Sequence, residues 1–254
     1  MPSAPTRSPN GVATQQGGTL FGNYSFPFPF DQTGTIGIDF VQASDYVASD
    51  WVVTTTSGSS AVTAGNGGIL VQTTAASSSD IQFNALTPAP FVITAGYPAW
   101  FGIRCKSADI VDPSFMFGLV AVGSGAAMTS TDGIYFTKAA GASVLVLNIS
   151  NSSTTTTVAC PGTLVNNTFF TAGFYYDGNS NGQIAAFNTA GNTEPNLSAK
   201  AYKAVGGYRV GWTNTLTNLP TAALTLGFGV KADASSARTL TTDWIFAAVD
   251  SSRN

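Results

Sequence analysis

Ala99-Trp100-Phe101-Gly102-Ile103-Arg104-Cys105-Lys106 is the stretch that decides the fold. Ala99, Phe101, Ile103 and Cys105 fall on one side of an extended chain, with Arg104 and Lys106 on the other. A period of two marks a half-buried strand, because successive strand side chains point to opposite faces. Further runs rich in β-branched and aromatic residues lie on both sides of it: 38–41, 50–56, 69–74, 80–84, 115–122, 133–138, 143–149, 154–159, 168–177, 183–188, 222–230 and 238–249. Clusters of Ser, Gly and Asn separate them, as turns separate strands. No segment combines a 3.6-residue period with helix caps. Many short strands with turn signals between them predict an all-β sandwich.

Two of these strands, Phe115–Val122 and Val144–Ile149, are apolar on both faces. A two-layer sandwich leaves the outer face of each sheet wet unless something covers it. The arm, a loop or a second subunit would each serve.

Residues 1–37 read as an extended arm and 38–254 as the sandwich domain. Pro2, Pro5, Pro9, Gly11, Gly17, Gly18 and Gly22 oppose a regular ladder or helix in the arm. In Phe26-Pro27-Phe28-Pro29-Phe30, alternating prolines hold the backbone extended. Such a segment cannot bury its rings against itself. Phe26, Phe28 and Phe30 are therefore candidate contacts, either to the chain's own sandwich or to a neighbouring subunit or shell.

Charged residues make up 9% of the 254-residue chain, with net charge -3. An ordinary soluble domain carries roughly 25%. The balance gives no basic patch for nucleic acid, and so sparse a charge points to a surface covered by other subunits. No 18-residue apolar run is available to cross a membrane. The N-terminus lacks a basic start followed by an apolar stretch, so a chain made in a reducing cytoplasm is expected, with Cys105 and Cys160 as buried free thiols.

The chemistry of catalysis is thinly represented. Histidine is absent and the only glutamate is Glu194. That removes His-based triads and the usual general base near neutral pH. A two-carboxylate glycosidase needs an acidic pair on a strand, and the nearest pair, Asp109 and Asp112, reads as a loop. No enzyme, cofactor or metal is expected. Asp177-Gly178-Asn179-Ser180-Asn181-Gly182 copies the first half of an EF-hand loop, but the twelfth position is Asn188 in place of glutamate. The flanks read as strands, so a β-hairpin without calcium dependence is expected. Among the four tryptophans, Trp51, Trp100 and Trp244 lie within strand patterns and are assigned to the core. Trp212, after Gly206-Gly207-Tyr208-Arg209-Val210-Gly211, is the candidate exposed aromatic.

The ordered set Asp45–Trp51, Trp100–Arg104, Thr131–Lys138, Ala172–Gly178 and Ala237–Ala248 resembles a family of phage structural proteins built on a concanavalin-A-like (laminin-G-like) jelly roll. The resemblance runs from about residue 38 to the C-terminus. It implies a jelly-roll sandwich serving as a capsid decoration or cement protein on a phage head, from which the extended N-terminal Pro-Phe arm and the Gly206–Trp212 stretch depart. The implied partners are the major capsid protein and further copies of the chain, a trimer ahead of a dimer, after synthesis in the bacterial host cytoplasm. It supplies no catalytic residues. The alternatives are a lectin-like carbohydrate-binding module for host-surface attachment and a head-fibre or tail component.

Overall fold

Two antiparallel sheets face each other across one core in the computed structural model, which describes residues 6–7, 13–14, 25–26, 34–39, 48–63, 69–160, 162–178, 184–188 and 209–249. The N-terminal strands β1 (Thr6–Arg7), β2 (Ala13–Thr14) and β3 (Ser25–Phe26) pair in that order as a small sheet of their own. β4 (Gly34–Asp39) straddles the expected boundary at residue 37. Then follow β5 (Trp51–Thr55), β6 (Ser59–Thr63), β7 (Ile69–Thr73), β8 (Ile81–Leu86), β9 (Ala99–Lys106), β10 (Ser114–Ala121), β11 (Gly133–Lys138) and β12 (Leu145–Asn151). The chain continues through β13 (Thr154–Cys160), β14 (Phe170–Tyr176), β15 (Ile184–Asn188), β16 (Arg209–Thr213), β17 (Leu224–Lys231) and β18 (Thr239–Val249). Apart from a 3-10 turn at Ala48–Asp50, no helix occurs among the described residues.

The seven-stranded sheet runs β13-β12-β11-β10-β17-β8-β5. The second sheet runs β16-β15-β14-β9-β18-β7-β6, with β4 beside the C-terminal half of β18. Neighbours that are distant in sequence, such as β10 with β17 and β9 with β18, close the sandwich through crossovers. The expected all-β class is therefore what the structure shows. β6 and β16 carry too few apolar residues in too short a run for the sequence pattern to reveal them.

Alternate residues fill the space between the sheets. Phe115, Phe117 and Leu119 from β10 meet Phe101 and Ile103 from β9, with Phe136, Phe174 and Phe228 around them. Trp51 joins this core edge-on to Phe228, 5.4 Å between ring centres. Cys105 and Cys160 are buried free thiols, as expected. Burial pushes Cys160 up to about 11 and Cys105 higher still, which keeps both as unreactive thiols.

The doubly apolar strand β10 has a local explanation. Its outward residues Met116 and Val120 join Ile81, Phe83, Ala85 and Tyr135 in a second cluster, completed by Met128 from the loop after β10. Gly118 and Gly227 stand opposite each other in the register. A Cβ on Gly118 would lie 2.6 Å from Cβ of Tyr135, and one on Gly227 2.8 Å from the Phe83 ring. Their missing side chains leave room for the close approach of Tyr135 to Gly118 and of the Phe83 ring to Gly227. The Tyr135 hydroxyl donates to the Ser130 carbonyl at 3.2 Å and pins the loop over the cluster. The loop after β10 covers Met116 and Val120.

One charge is buried at the end of the core. Lys138 is 1% exposed, and its Nζ donates to the carbonyls of Val111, at 3.0 Å, and Pro113. Burial holds its amine down to about 8, against the opposing pull of Asp109, Asp233 and Asp112. Between about pH 8 and 10.4 the unfolded chain thus binds more protons at this position than the folded one, and stability from Lys138 rises with pH. Cys105, Cys160, Tyr175 and Tyr176 have raised values and work in the opposite direction on going alkaline. Comparison with Lys138→Met removes their contribution. Urea titrations from pH 7 to 10 should show the wild type gaining on this variant as pH rises; a constant gap would refute the assignment.

Candidate functional site

The outward face of the second sheet carries the aromatic side chains that the core does not take up. β9 turns Phe101, Ile103 and Cys105 inward, so Trp100, Arg104 and Lys106 face away from the seven-stranded sheet. β14 shows the same alternation: Phe170, Ala172 and Phe174 point inward and Tyr175 outward. On β18 a bulge between Thr242 and Trp244 sets Thr242 opposite Cys105 but Trp244 opposite Arg104. A bulge adds one residue to a strand and switches the face of the residues beyond it. Without Asp243 as that extra residue, Trp244 would share the inward face of Thr242.

This placement keeps Trp100 buried, as its core assignment expects, and corrects that of Trp244. Trp100 is 6% exposed, but it is buried on the outward face with Phe246 and Ala248, not between the sheets. Trp244 packs against the same cluster, half-buried, as does Tyr175. Trp100 and Tyr175 are cross-strand partners with ring centres 5.3 Å apart and planes tilted by 38°. Such offset pairs add to each ring's hydrophobic contribution and fix its orientation.

A charged rim adjoins the rings. Arg104 is ion-paired with Asp243, the bulge residue, with side-chain exposures of 38% and 16%. A pair this accessible contributes little stability, and its main effect is to orient both groups. The Arg104 guanidinium also lies 4.2 Å from the centre of the Phe169 ring, and Lys106 Nζ lies 4.8 Å from the same centre. At the other end of β14, burial and the charge of Asp177 raise the Tyr175 phenol above its usual range.

The carboxylates elsewhere hold the frame. Arg238 spans Asp109 and Asp112, and Asp233 takes Lys231 at 3.1 Å and the Ser114 hydroxyl at 2.5 Å. Asp80 accepts from the backbone N–H groups of Ser57 and Ala75. No group of three metal-ligating side chains occurs among the described residues. The EF-hand-like stretch lies mostly outside them, but Tyr176 pairs with Ile184 across it, in the register of a β-hairpin.

Of the residues singled out in sequence, Phe28 and Phe30 lie outside the described residues. Phe26 is placed only through the backbone pairing of β3 with Ala13 on β2. Trp212 pairs with Ala185 in backbone register, and its side chain also lies outside the described residues. Sequence reasoning misses Trp100, Tyr175, Trp244 and Phe169 as one group. The alternation in β9 is a signal for Trp100; the bulge at Asp243 leaves none for Trp244.

No protein family and no curated protein matches the sequence. Solved structures do resemble it. A protein of unknown function, SO2946 from Shewanella oneidensis MR-1, superposes with TM-score 0.56 at 10% identity, covering 99% of this chain and 100% of that one. The endo-1,3-β-glucanase from Streptomyces sioyaensis gives 0.56 at 15% identity, covering 90% and 100%. The carbohydrate recognition domain of Emp46p gives 0.52 at 11% identity, covering 83% and 94%. The fold is a lectin-like jelly roll. At these identities the likeness extends to the fold and not to the chemistry.

Proposed function

We propose that this chain is a non-catalytic, lectin-like carbohydrate-binding module whose ligand lies on the outward face of β9, β14 and β18. The observation that carries it is the grouping of half-buried Tyr175 and Trp244 around the buried Trp100, beside the Arg104–Asp243 pair. Aromatic faces stack on the apolar faces of sugar rings, while oriented polar groups at the rim take hydroxyls. Among the described residues of these three strands, Asp243 is the one carboxylate, and it is committed to Arg104. That the fold also serves in a carbohydrate recognition domain supports the reading.

A second reading, the capsid decoration or cement protein on a phage head, draws support from the family resemblance and from the 9% charged content. Its partners would be the major capsid protein and further copies of this chain.

Titration of the purified protein against a panel of neutral and acidic oligosaccharides tests both. The expected result is saturable binding that weakens about tenfold or more in Trp244→Ala and in Tyr175→Ala, as loss of a stacked aromatic predicts. Binding that neither substitution changes would overturn the proposed face. Absence of glycan binding, together with saturable binding to intact phage heads, would favour decoration.

A further inference from the structure

We infer that the ligand of this face is an acidic saccharide, with a uronate carboxylate seated at Lys106. The inference rests on the carbohydrate-binding reading and names the ligand class for the same site. Arg104 and Lys106 are two residues apart on β9 and share its outward face, so both reach the ring of Phe169, at 4.2 and 4.8 Å. They differ in what neutralises them. Arg104 is paired with Asp243, whereas none of the ion pairs among the described residues includes Lys106. The nearest carboxylate along the chain, Asp109, is held by Arg238 at 3.1 Å.

The face is therefore electrically lopsided. Among the described side chains its β9–Phe169 end carries two cations and one carboxylate, and Asp177 stands at the opposite end of β14. The seven residues of β14 that separate them span roughly 20 Å. A half-buried ammonium over an aromatic ring keeps donors directed outward, since the ring engages only one side of the group. A carboxylate carried by a sugar stacked on Trp244 or Tyr175 would complete the charge balance. Charge-assisted hydrogen bonds of this kind are the strong ones.

The experiment uses the full chain, a galacturonate hexasaccharide, its fully methyl-esterified form and neutral cellohexaose, each titrated at low and high salt. The expected result is preference for the acid over its ester, lost at high salt. Lys106→Gln should weaken binding of the acid about tenfold. It should weaken cellohexaose much less than the acid, and Lys106→Arg should restore the preference. Thermal midpoints of both variants report whether each is folded. Equal affinity for acid and ester, or equal loss of acid and cellohexaose in Lys106→Gln, overturns the inference while the carbohydrate reading stands. Absence of binding to all three probes, with Tyr175→Ala and Trp244→Ala equally silent, defeats both.

Discussion

Phe117→Ala should destabilise the protein by about 3–5 kcal/mol, the range for deleting a fully buried phenylalanine. Phe117 is 0% exposed and sits where the two sheets meet. Its ring centre lies 5.6 Å from Phe136 in its own sheet, and 6.5 and 6.3 Å from Phe101 and Phe170 in the other. Rings from two rigid sheets cannot collapse into the space it leaves, so the cavity persists and adds to the lost transfer energy. Total stability of a domain is about 5–15 kcal/mol, so the loss would be a large fraction of it. The urea midpoint should fall sharply with the slope of the transition unchanged. A shift below about 1 kcal/mol would mean that the inter-sheet contacts are not as described.

Gly178→Val should be similarly damaging for a different reason. Gly178 comes just after β14 with φ +79°, in the left-handed region, and a Cβ there would lie 2.6 Å from the Tyr97 carbonyl carbon and 2.8 Å from the Pro98 nitrogen. Both obstacles are backbone, held against Gly178 by the Gly96 N–H bond to its carbonyl. The left-handed conformation alone costs an L-residue roughly 1–2 kcal/mol, and the overlap adds to it. Gly96→Ala supplies the internal comparison. Gly96 has φ +96°, yet a Cβ on it would meet nothing within 4 Å. Its substitution should lose only the torsional cost. Thermal or urea unfolding should therefore rank Gly178→Val well below Gly96→Ala; equal losses would show that the contact with Tyr97 and Pro98 gives way.

Most of the fold is legible in the sequence because alternation is a direct imprint of a sheet with one buried face. In β9 the pattern is unbroken, and the strand lies where the alternation puts it. The pattern fails where an edge strand has little to bury, as in β6 with Ser59-Ser60-Ala61-Val62-Thr63. It also fails to say what covers an outward apolar residue. Met116 and Val120 read only as unexplained hydrophobes until Met128 and the Tyr135 hydroxyl close the loop over them.

The candidate site is less legible, because it depends on which strands become neighbours. Trp100, Tyr175 and Trp244 are separated by roughly seventy residues at each step, and β9 lies between β14 and β18 in the sheet. A β-bulge is also silent in sequence: Thr242-Asp243-Trp244 alternates like any strand, and only pairing with Cys105 and Arg104 shows the switch of face. Strand pattern alone sends such tryptophans inward, although this sheet carries aromatics on both sides.

The measurement closest to the central claim is a crystal structure of the protein soaked with the tightest-binding oligosaccharide of the panel. The account predicts a sugar ring over Tyr175 or Trp244 at van der Waals distance, roughly 4 Å, with Arg104, Asp243 or Lys106 on its polar groups. A sugar seated instead on the outward face of β12 and β13, by Asn148 and Thr157, with Tyr175 and Trp244 untouched, would contradict it.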